Sequence, residues 1–495
     1  MMPFVLLLMV LLLPVSLNAQ EFGFGDSDGF GFSDFSSPSV NISGEVKAEI
    51  KTYFNDLETA DRAREIRMGD IFSGNLNFDA SGSSAQGVIN LALTPVFNGT
   101  SPVEIDEAYV RAFFGPVTIT GGLKKLTWGK ADSFGPLDLV NPLDYTDLSQ
   151  ISDPLSIKNS RPMLHASWST GSFSKMEAVF VPWFKGHKFA THGRWTPNQM
   201  TNLQKGVAEN LTETATGKIG QLMSVGKINE ALALKGMLEN DLPDMIASYF
   251  NESIGGADIY PDTNTLNYAQ GGIRFTTTLG SSDLGFQYYT GRLPRPGVII
   301  RIDEDFIDSF LDGPGPDTDK ISVHVDYSYF HHLGLDFARV IAGFNLRAEA
   351  GANLTNDFDG NDGLVHNPAF VWSLGFDRDL IANINLNLQG TGRVRFFNDR
   401  VGSKILDDCE AGGKISSTRI TGIVSRKFLR DELELKATAL WGIEDGDFLV
   451  TPSVSWSRNS VCARLSAGFF GGERDGELGQ YRDNSYVKMT LSYTF

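Results

Sequence analysis

Apolar and polar residues take turns along most of the chain. From Tyr486 to Phe495 one set of alternate positions is Val487, Met489, Leu491, Tyr493 and Phe495. The other is Tyr486, Lys488, Thr490, Ser492 and Thr494. Successive side chains of a strand point to opposite faces, so this run predicts a strand with one apolar and one polar face. Near the other end Ile42, Gly44, Val46, Ala48 and Ile50 alternate with Ser43, Glu45, Lys47, Glu49 and Lys51. Ile384, Leu386, Leu388, Val394 and Phe396 oppose Asn385, Asn387, Gln389, Thr391, Arg393 and Arg395. Leu433, Leu435, Ala437, Ala439 and Trp441 oppose Glu434, Lys436 and Thr438. A face this charged cannot pack in a dry core without partners, but it can border water. The apolar face can border lipid, and a tilted strand of about 10 residues crosses a bilayer core.

Similar segments are predicted at 68–82, 85–96, 103–115, 117–129, 161–171, 174–184, 264–279, 282–293, 320–332, 335–354, 366–378, 383–397, 416–429, 432–443, 448–457 and 460–471. With the two ends this makes about eighteen strands, or 16–18. The connections sort by length. With the amino end periplasmic, the outer set is Asn55–Arg67, Phe97–Pro102, Lys130–Ser160, Lys185–Thr263, Leu293–Asp319, Thr355–Leu364, Asn398–Ser416, Glu444–Asp447 and Gly472–Asn484. The inner set is Ala80–Ala85, Gly115-Pro116, Thr170–Ser174, Leu279–Asp283, His332–Gly334, Arg378–Asn383, Leu429–Glu432 and Arg458–Ser460. Only Glu444–Asp447 is short where a long loop is expected. A soluble sandwich, the other reading of such strands, gives no reason for this sorting. The fold class is therefore all-β, a transmembrane antiparallel β-barrel. After residue 19 no run reaches the roughly 18 apolar residues of a spanning helix. Without such helices only a closed barrel satisfies every backbone group in lipid.

Domain organisation follows. Residues 1–19 read as a secretory signal peptide, with an apolar stretch Phe4–Leu13 and a cleavage site at Ser16-Leu17-Asn18-Ala19. Residues 20–38, with Phe22-Gly23-Phe24-Gly25 and Gly29-Phe30-Gly31-Phe32, read as a flexible periplasmic lead-in. Residues 39–495 form the barrel, with 185–263 a helical extracellular insertion. There Ile219, Leu222, Met223, Val225, Ile228, Leu232, Leu234, Met237 and Leu238 recur at helical spacing. Pro243 interrupts, and Met245, Ile246, Tyr249 and Phe250 resume. A further acidic helix is expected from Ile299 to Leu311.

The net charge of −18 excludes nucleic acid as a partner. The acids concentrate in the outer connections and point to a bias toward small cations. Cys409 and Cys462 fall at opposite ends of the barrel, too far apart for a disulfide. Asp357 to Gly363 has the acidic spacing of a calcium loop, but its Gly is misplaced and Pro368 stands where a bidentate Glu is needed. No metal or cofactor is therefore expected. None of the seven histidines sits in a catalytic pattern, so the protein reads as no enzyme.

The strands and loops also carry a motif. Glu107-Ala108-Tyr109-Val110-Arg111 is followed by Gly121-Gly122-Leu123-Lys124, Trp128-Gly129 and Asn141-Pro142-Leu143-Asp144. This order resembles a family of uncharacterised porin-like outer-membrane barrels of diderm bacteria. The terminal Tyr493 and Phe495 resemble the signal that barrel-insertion machinery reads. The resemblance implies an outer-membrane channel in contact with lipid that passes small hydrophilic solutes. Tyr109, Arg111, Lys124 and Trp128 are expected on the lumen face. The loop after Trp128 is expected to fold inward, with Asp132, Asp138 and Asp144 facing Lys124, Arg393 and Arg395 across the pore; Lys436 joins the lining. A plugged surface barrel acting as an adhesin, or an outer-membrane hydrolase, are the alternatives.

Overall fold

The computed structural model describes residues 39–55, 72–94, 103–240, 260–303, 305–312 and 320–495; the side chains of residues 200–201 and 310–312 are not described. The leader, the lead-in and the helical run after Pro243 lie outside the described residues.

Eighteen strands form one sheet. They are β1 (Ser39–Tyr53), β2 (Phe72–Ser81), β3 (Ala85–Leu93), β4 (Val103–Phe114), β5 (Val117–Lys124), β6 (Arg161–Ser169), β7 (Ser174–Val181), β8 (Gln270–Leu279), β9 (Ser282–Arg292), β10 (Tyr329–Ile341), β11 (Phe344–Thr355), β12 (Ala369–Asp379), β13 (Ile384–Arg395), β14 (Ser416–Phe428), β15 (Leu433–Gly442), β16 (Asp447–Arg458), β17 (Val461–Gly472) and β18 (Tyr486–Thr494). Each pairs antiparallel with its neighbours in sequence. β18 returns to β1, with Val46 opposite Tyr493 and Glu45 opposite Thr494. Phe495 and Gly44 exchange backbone hydrogen bonds of 3.0 Å across that seam. Closure leaves no unpaired edge among the eighteen described strands.

The alternation sorts as the sequence predicts. Ile42, Val46, Ile50, Ile273, Phe286, Leu333, Leu335, Leu374, Leu388, Leu435 and Leu491 are exposed on the outer surface. Gln287, His332, Asp336, Glu349, Ser373, Gln389 and Thr438 are buried inside. Long and short connections fall at opposite ends, and the link between β15 and β16 stays a short turn among the long loops.

Two predicted segments are corrected. Residues 320–332 and 335–354 are not a hairpin about His332–Gly334. The turn is Ala342-Gly343, both with positive φ (54° and 81°), which suits a tight hairpin. His331 and His332 therefore lie toward the long-loop end, not near a short turn. Gly334 is small for another reason: a Cβ there would lie 2.6 Å from the Leu137 side chain and 2.7 Å from His332. The helix expected from Ile299 to Leu311 is instead a strand, Gly297–Ile302, paired with Ile321–Asp326, followed by a short helix, Phe306–Asp312. Val298, Ile300 and Ile302 alternate toward one apolar core, and β-branched residues at that spacing favour a strand.

The long insertion is helical, as α1 (Asn198–Ser224) and α2 (Ile228–Asn240). Leu203, Val207, Leu211, Leu222 and Leu234 pack with Ile300, Phe306, Ile321 and Leu406 in a core of their own, built from long connections.

If the outward face meets lipid, Val46→Arg at mid-strand destabilises the barrel by about 2–4 kcal/mol, and Val40→Arg near the short-turn end by about 0–1 kcal/mol. Reversible denaturant unfolding in phospholipid vesicles measures both.

Candidate functional site

The loop 125–160 leaves the end of β5 and enters the barrel. Glu107 on β4 fixes its departure: Oε1 accepts from the Lys125 amide at 2.8 Å and Oε2 from Asn90 at 2.9 Å. Asn141 ties the two ends of the loop together. Its Oδ1 accepts from the Leu126 amide at 2.8 Å, and its Nδ2 donates to the carbonyls of Lys124 (3.1 Å) and Asn159 (2.8 Å).

Between these points the chain crosses the lumen. Trp128 is 1% exposed and meets Tyr289 of β9 edge to face at 6.4 Å. Its ring occupies the space left at Gly272 of β8, where a Cβ would lie 2.9 Å away. Gly129 has φ +95°, and a Cβ there would strike Glu349. Glu349 Oε1 on β11 accepts from the amides of Lys130 and Ala131, the latter at 2.8 Å. Gln389 Oε1 on β13 accepts from Asp132 (2.9 Å) and Ser133 (3.0 Å). Gln389 and Thr391 both donate to the Phe134 carbonyl at 3.2 Å. Gln287 of β9 donates to the Leu137 carbonyl at 2.9 Å. The chain then returns to the seam, where Tyr486 donates to the Ser149 carbonyl at 2.8 Å and Lys51 pairs with Asp147. Leu148, Ile151 and Ile157 pack there with Leu440, Leu449, Phe470 and Trp195.

The structure brings Tyr109, Arg111 and Lys124 together: Lys124 Nζ is 5.3 Å and Arg111 Cζ 5.6 Å from the Tyr109 ring centre. Trp128 lies inside the barrel but beyond the strand, which ends at Lys124. Asp132 pairs with Arg347 of β11 and accepts from Asn387 at 2.9 Å. Asp138 pairs with Lys158, which also donates to Thr127 at 2.8 Å. Burial pushes the Asp138 carboxyl up, against the pull of Lys158. Asp144 accepts from the Thr146 amide at 2.9 Å and pairs with Lys188 at 3.2 Å. Arg393 and Arg395 both bind Glu410 of loop 396–415, Arg393 at 2.8 Å. Lys436 is exposed and makes no ion pair among the described residues. The expected opposition of Asp132, Asp138 and Asp144 to Lys124, Arg393 and Arg395 is therefore corrected. Asp132 takes its cation from the wall strand it meets, Asp138 from its own loop and Asp144 from the loop that follows β7. Tyr493 and Phe495 are exposed on the outer surface, their rings 6.3 Å apart.

Sequence reasoning missed Glu349, Gln389, Arg347 and the anchoring roles of Glu107 and Asn141. The signal available was the period-two pattern, which puts Glu349 and Gln389 inward without saying what they meet.

In the other long loops two titratable groups matter. Burial pushes the His187 imidazole down to about 3, and the neutral ring accepts from the Leu143 amide at 2.9 Å through Nδ1. Burial alone would raise the Glu410 carboxyl. The hydrogen bond to His366 (2.9 Å) and the Arg393 charge outweigh it and hold the group well below its ordinary value.

The chain matches no protein-family model and none of the curated proteins. Among solved structures it is similar to OccAB4 of Acinetobacter baumannii, at 9% identity over 93% of this chain and 99% of that one, with a TM-score of 0.44. OccK5 (OpdH) of Pseudomonas aeruginosa is 8% identical over 93% and 98%, with a TM-score of 0.45. Wzi of Escherichia coli, a carbohydrate-binding barrel involved in group 1 capsule assembly, is 10% identical over 91% and 84%, with a TM-score of 0.42. The barrel itself rests on the strand register.

A depressed carboxyl stabilises docking above its ordinary value of 4.5 and loses that contribution as pH falls below it. Amide exchange of residues 405–413, corrected for intrinsic rates, is thus expected to stay constant from about pH 8 to 5 and to accelerate below about 4.5. Glu410→Gln should exchange fast already at pH 7.

Proposed function

We propose that the protein sits in the outer membrane of a diderm bacterium and passes small hydrophilic solutes by passive diffusion. The observation that carries this reading is the division of the lumen. Loop 125–160 is held against the wall from β8 to β13, while the inner face of β2 to β4 keeps Asn77, Asp79, Gln86, Asn90, Tyr109 and Arg111 half-exposed and polar. A lumen filled throughout would bury them. The loop narrows the path, and the charged wall acts on what passes. Solutes move down their own gradient and no bond is made or broken. Tyr493 and Phe495, at the lipid-facing end of β18, supply the contact for the insertion machinery.

The second reading is a plugged surface barrel. The cap of α1, α2 and the paired strands Gly297–Ile302 and Ile321–Asp326 favours it, because it has its own apolar core at the long-loop end.

Planar-bilayer recording separates the two. A steady open current supports the channel; silence at all voltages supports the plug. Glu349→Ala tests the constriction. It removes two hydrogen bonds from a buried carboxylate, each worth about 1.5–3 kcal/mol. Single-channel conductance is expected to rise as residues 129–133 leave the wall. Unchanged conductance would show that this segment does not set the bore.

A further inference from the structure

The outer surface carries a row of arginines at one end and on one side. Arg339 on β10, Arg378 on β12, Arg426 on β14 and Arg458 on β16 share the outward face of their strands with Leu335, Leu374, Val424 and Trp456, all exposed. Each lies at the short-turn end, within two residues of the last paired position of its strand: Ile341, Asp379, Phe428 and Arg458 itself. Alternate strands are about 10 Å apart across a sheet, so the four line one side of the barrel. On β1 to β9 the outward positions at the same end carry no charge, as at Val40, Ala80, Ala112, Trp168 and Leu279.

These arginines lack an acceptor. Among the described residues none of the four makes an ion pair or a side-chain hydrogen bond. Arg378 Cζ lies 4.3 Å from the centre of the Phe344 ring, and Arg426 Cζ 4.6 Å from that of Phe428. A ring holds the cation but offers no acceptor oxygen to its N–H groups. The acids nearby are engaged or lie in turns. Asp377 pairs with Arg347 at 2.8 Å, and Asp379 accepts from Asn385 at 2.9 Å. Asp431 and Glu432 share their turn with Arg430. At the long-loop end the outward Arg292 of β9 differs, because it donates to the Tyr327 carbonyl at 2.8 Å.

A row of unpaired cations bordering an apolar surface is complementary to a partner with an apolar body and an anionic head. Arginine lays its stem along apolar surface and keeps its charge in water. Its guanidinium pairs with phosphate through two N–H donors. A net negative head gains from every cation in the row, whereas a zwitterionic head brings a cation of its own. We propose that β10 to β16 bind the phosphate headgroups of anionic phospholipids at the short-turn end, so that these lipids collect on this side of the barrel and not beside β1 to β9. This rests on the outer-membrane reading and names a lipid partner for it.

The chain carries its own reporters. Trp456 on β16 and Trp168 on β6 are both exposed on the outer surface near the short-turn end. One stands beside Arg458 and the other on the uncharged side. The full-length protein is folded into vesicles of four parts phosphatidylcholine to one part phosphatidylglycerol. Bromine, which quenches tryptophan on contact, is placed on the acyl chains of one lipid or the other. Subtracting the spectra of Trp456→Phe and Trp168→Phe isolates the share of each ring. Brominated phosphatidylglycerol is expected to quench Trp456 severalfold more than Trp168, and molar salt to remove the difference. Brominated phosphatidylcholine should show no excess at Trp456. The fourfold variant Arg339→Gln, Arg378→Gln, Arg426→Gln, Arg458→Gln should bring Trp456 to the level of Trp168. Lys227→Gln, on the helical cap, should change neither. Heat-modifiable gel migration checks that each variant forms the closed barrel. Equal quenching of the two rings by brominated phosphatidylglycerol in the unaltered protein overturns the inference and leaves the membrane placement standing. So does an excess that survives the fourfold variant in a closed barrel. If neither brominated lipid quenches either ring, the outward face does not meet lipid and both readings fall.

Discussion

The amides of Lys130, Ala131, Asp132 and Ser133 lie inside the barrel with no strand to pair with. Buried backbone donors without acceptors are costly, so a loop can enter a lumen only where the wall supplies acceptors. Glu349 and Gln389 supply them, two amides each. Both side chains sit on the inward face because strand register puts them there, from strands two apart in the sheet. The loop's path is thus set by the wall, and the division of the lumen into a filled and a polar, accessible part follows from it.

The wall also gives way where the loop approaches. Gly272 admits the Trp128 ring and Gly334 admits Leu137, while Ile273, Leu333 and Leu335 beside them are exposed on the outer surface. One face of these strands is exposed and apolar, and the other is matched to a specific piece of chain. Glycine in a strand interior weakens the strand, so its presence at these two positions is explained by the close approach of the loop.

The parts of the fold that depend only on period two were legible in the sequence. β1, β13, β15 and β18 could be read residue by residue, because an apolar outer face and a polar inner face demand strict alternation. The hairpin of β10 and β11 was misplaced because Gly334 looks like a turn residue. Its smallness answers to Leu137, roughly two hundred positions earlier in the chain, which no local pattern reveals. The candidate site was legible to the same depth. Tyr109, Arg111 and Lys124 share a face by register, and the structure brings them together. The partner of Asp132 depends on which wall the loop meets, and those of Asp138 and Asp144 on how the long loops fold together; the sequence holds no marker of either. Arg393 and Arg395 were visible as inward cations, but Glu410, which engages both, arrives from a loop with no periodic signal.

Loop 396–415 also connects two bodies that the sequence leaves separate. Its Ile405 and Leu406 pack into the core formed by α1, α2 and the outer hairpin, and the Ile300 amide donates to the Leu406 carbonyl at 3.0 Å. A few residues on, Glu410 is held by Arg393 and Arg395 on the inner wall. An apolar contact at one end and a buried ionic contact at the other are lost by different means. The apolar end does not titrate, whereas the ionic end needs an ionised carboxylate. Breaking one partner of a buried ion pair leaves the other uncompensated, so the wall end is the more sensitive of the two to the charge on Glu410. The helical cap is therefore tied to the barrel through a link whose strength depends on one carboxylate, and that carboxylate belongs to a different loop from the one that Glu349 and Gln389 hold. The two loops are docked on the inner wall by different residues: loop 396–415 through Glu410, loop 125–160 through Glu349 and Gln389.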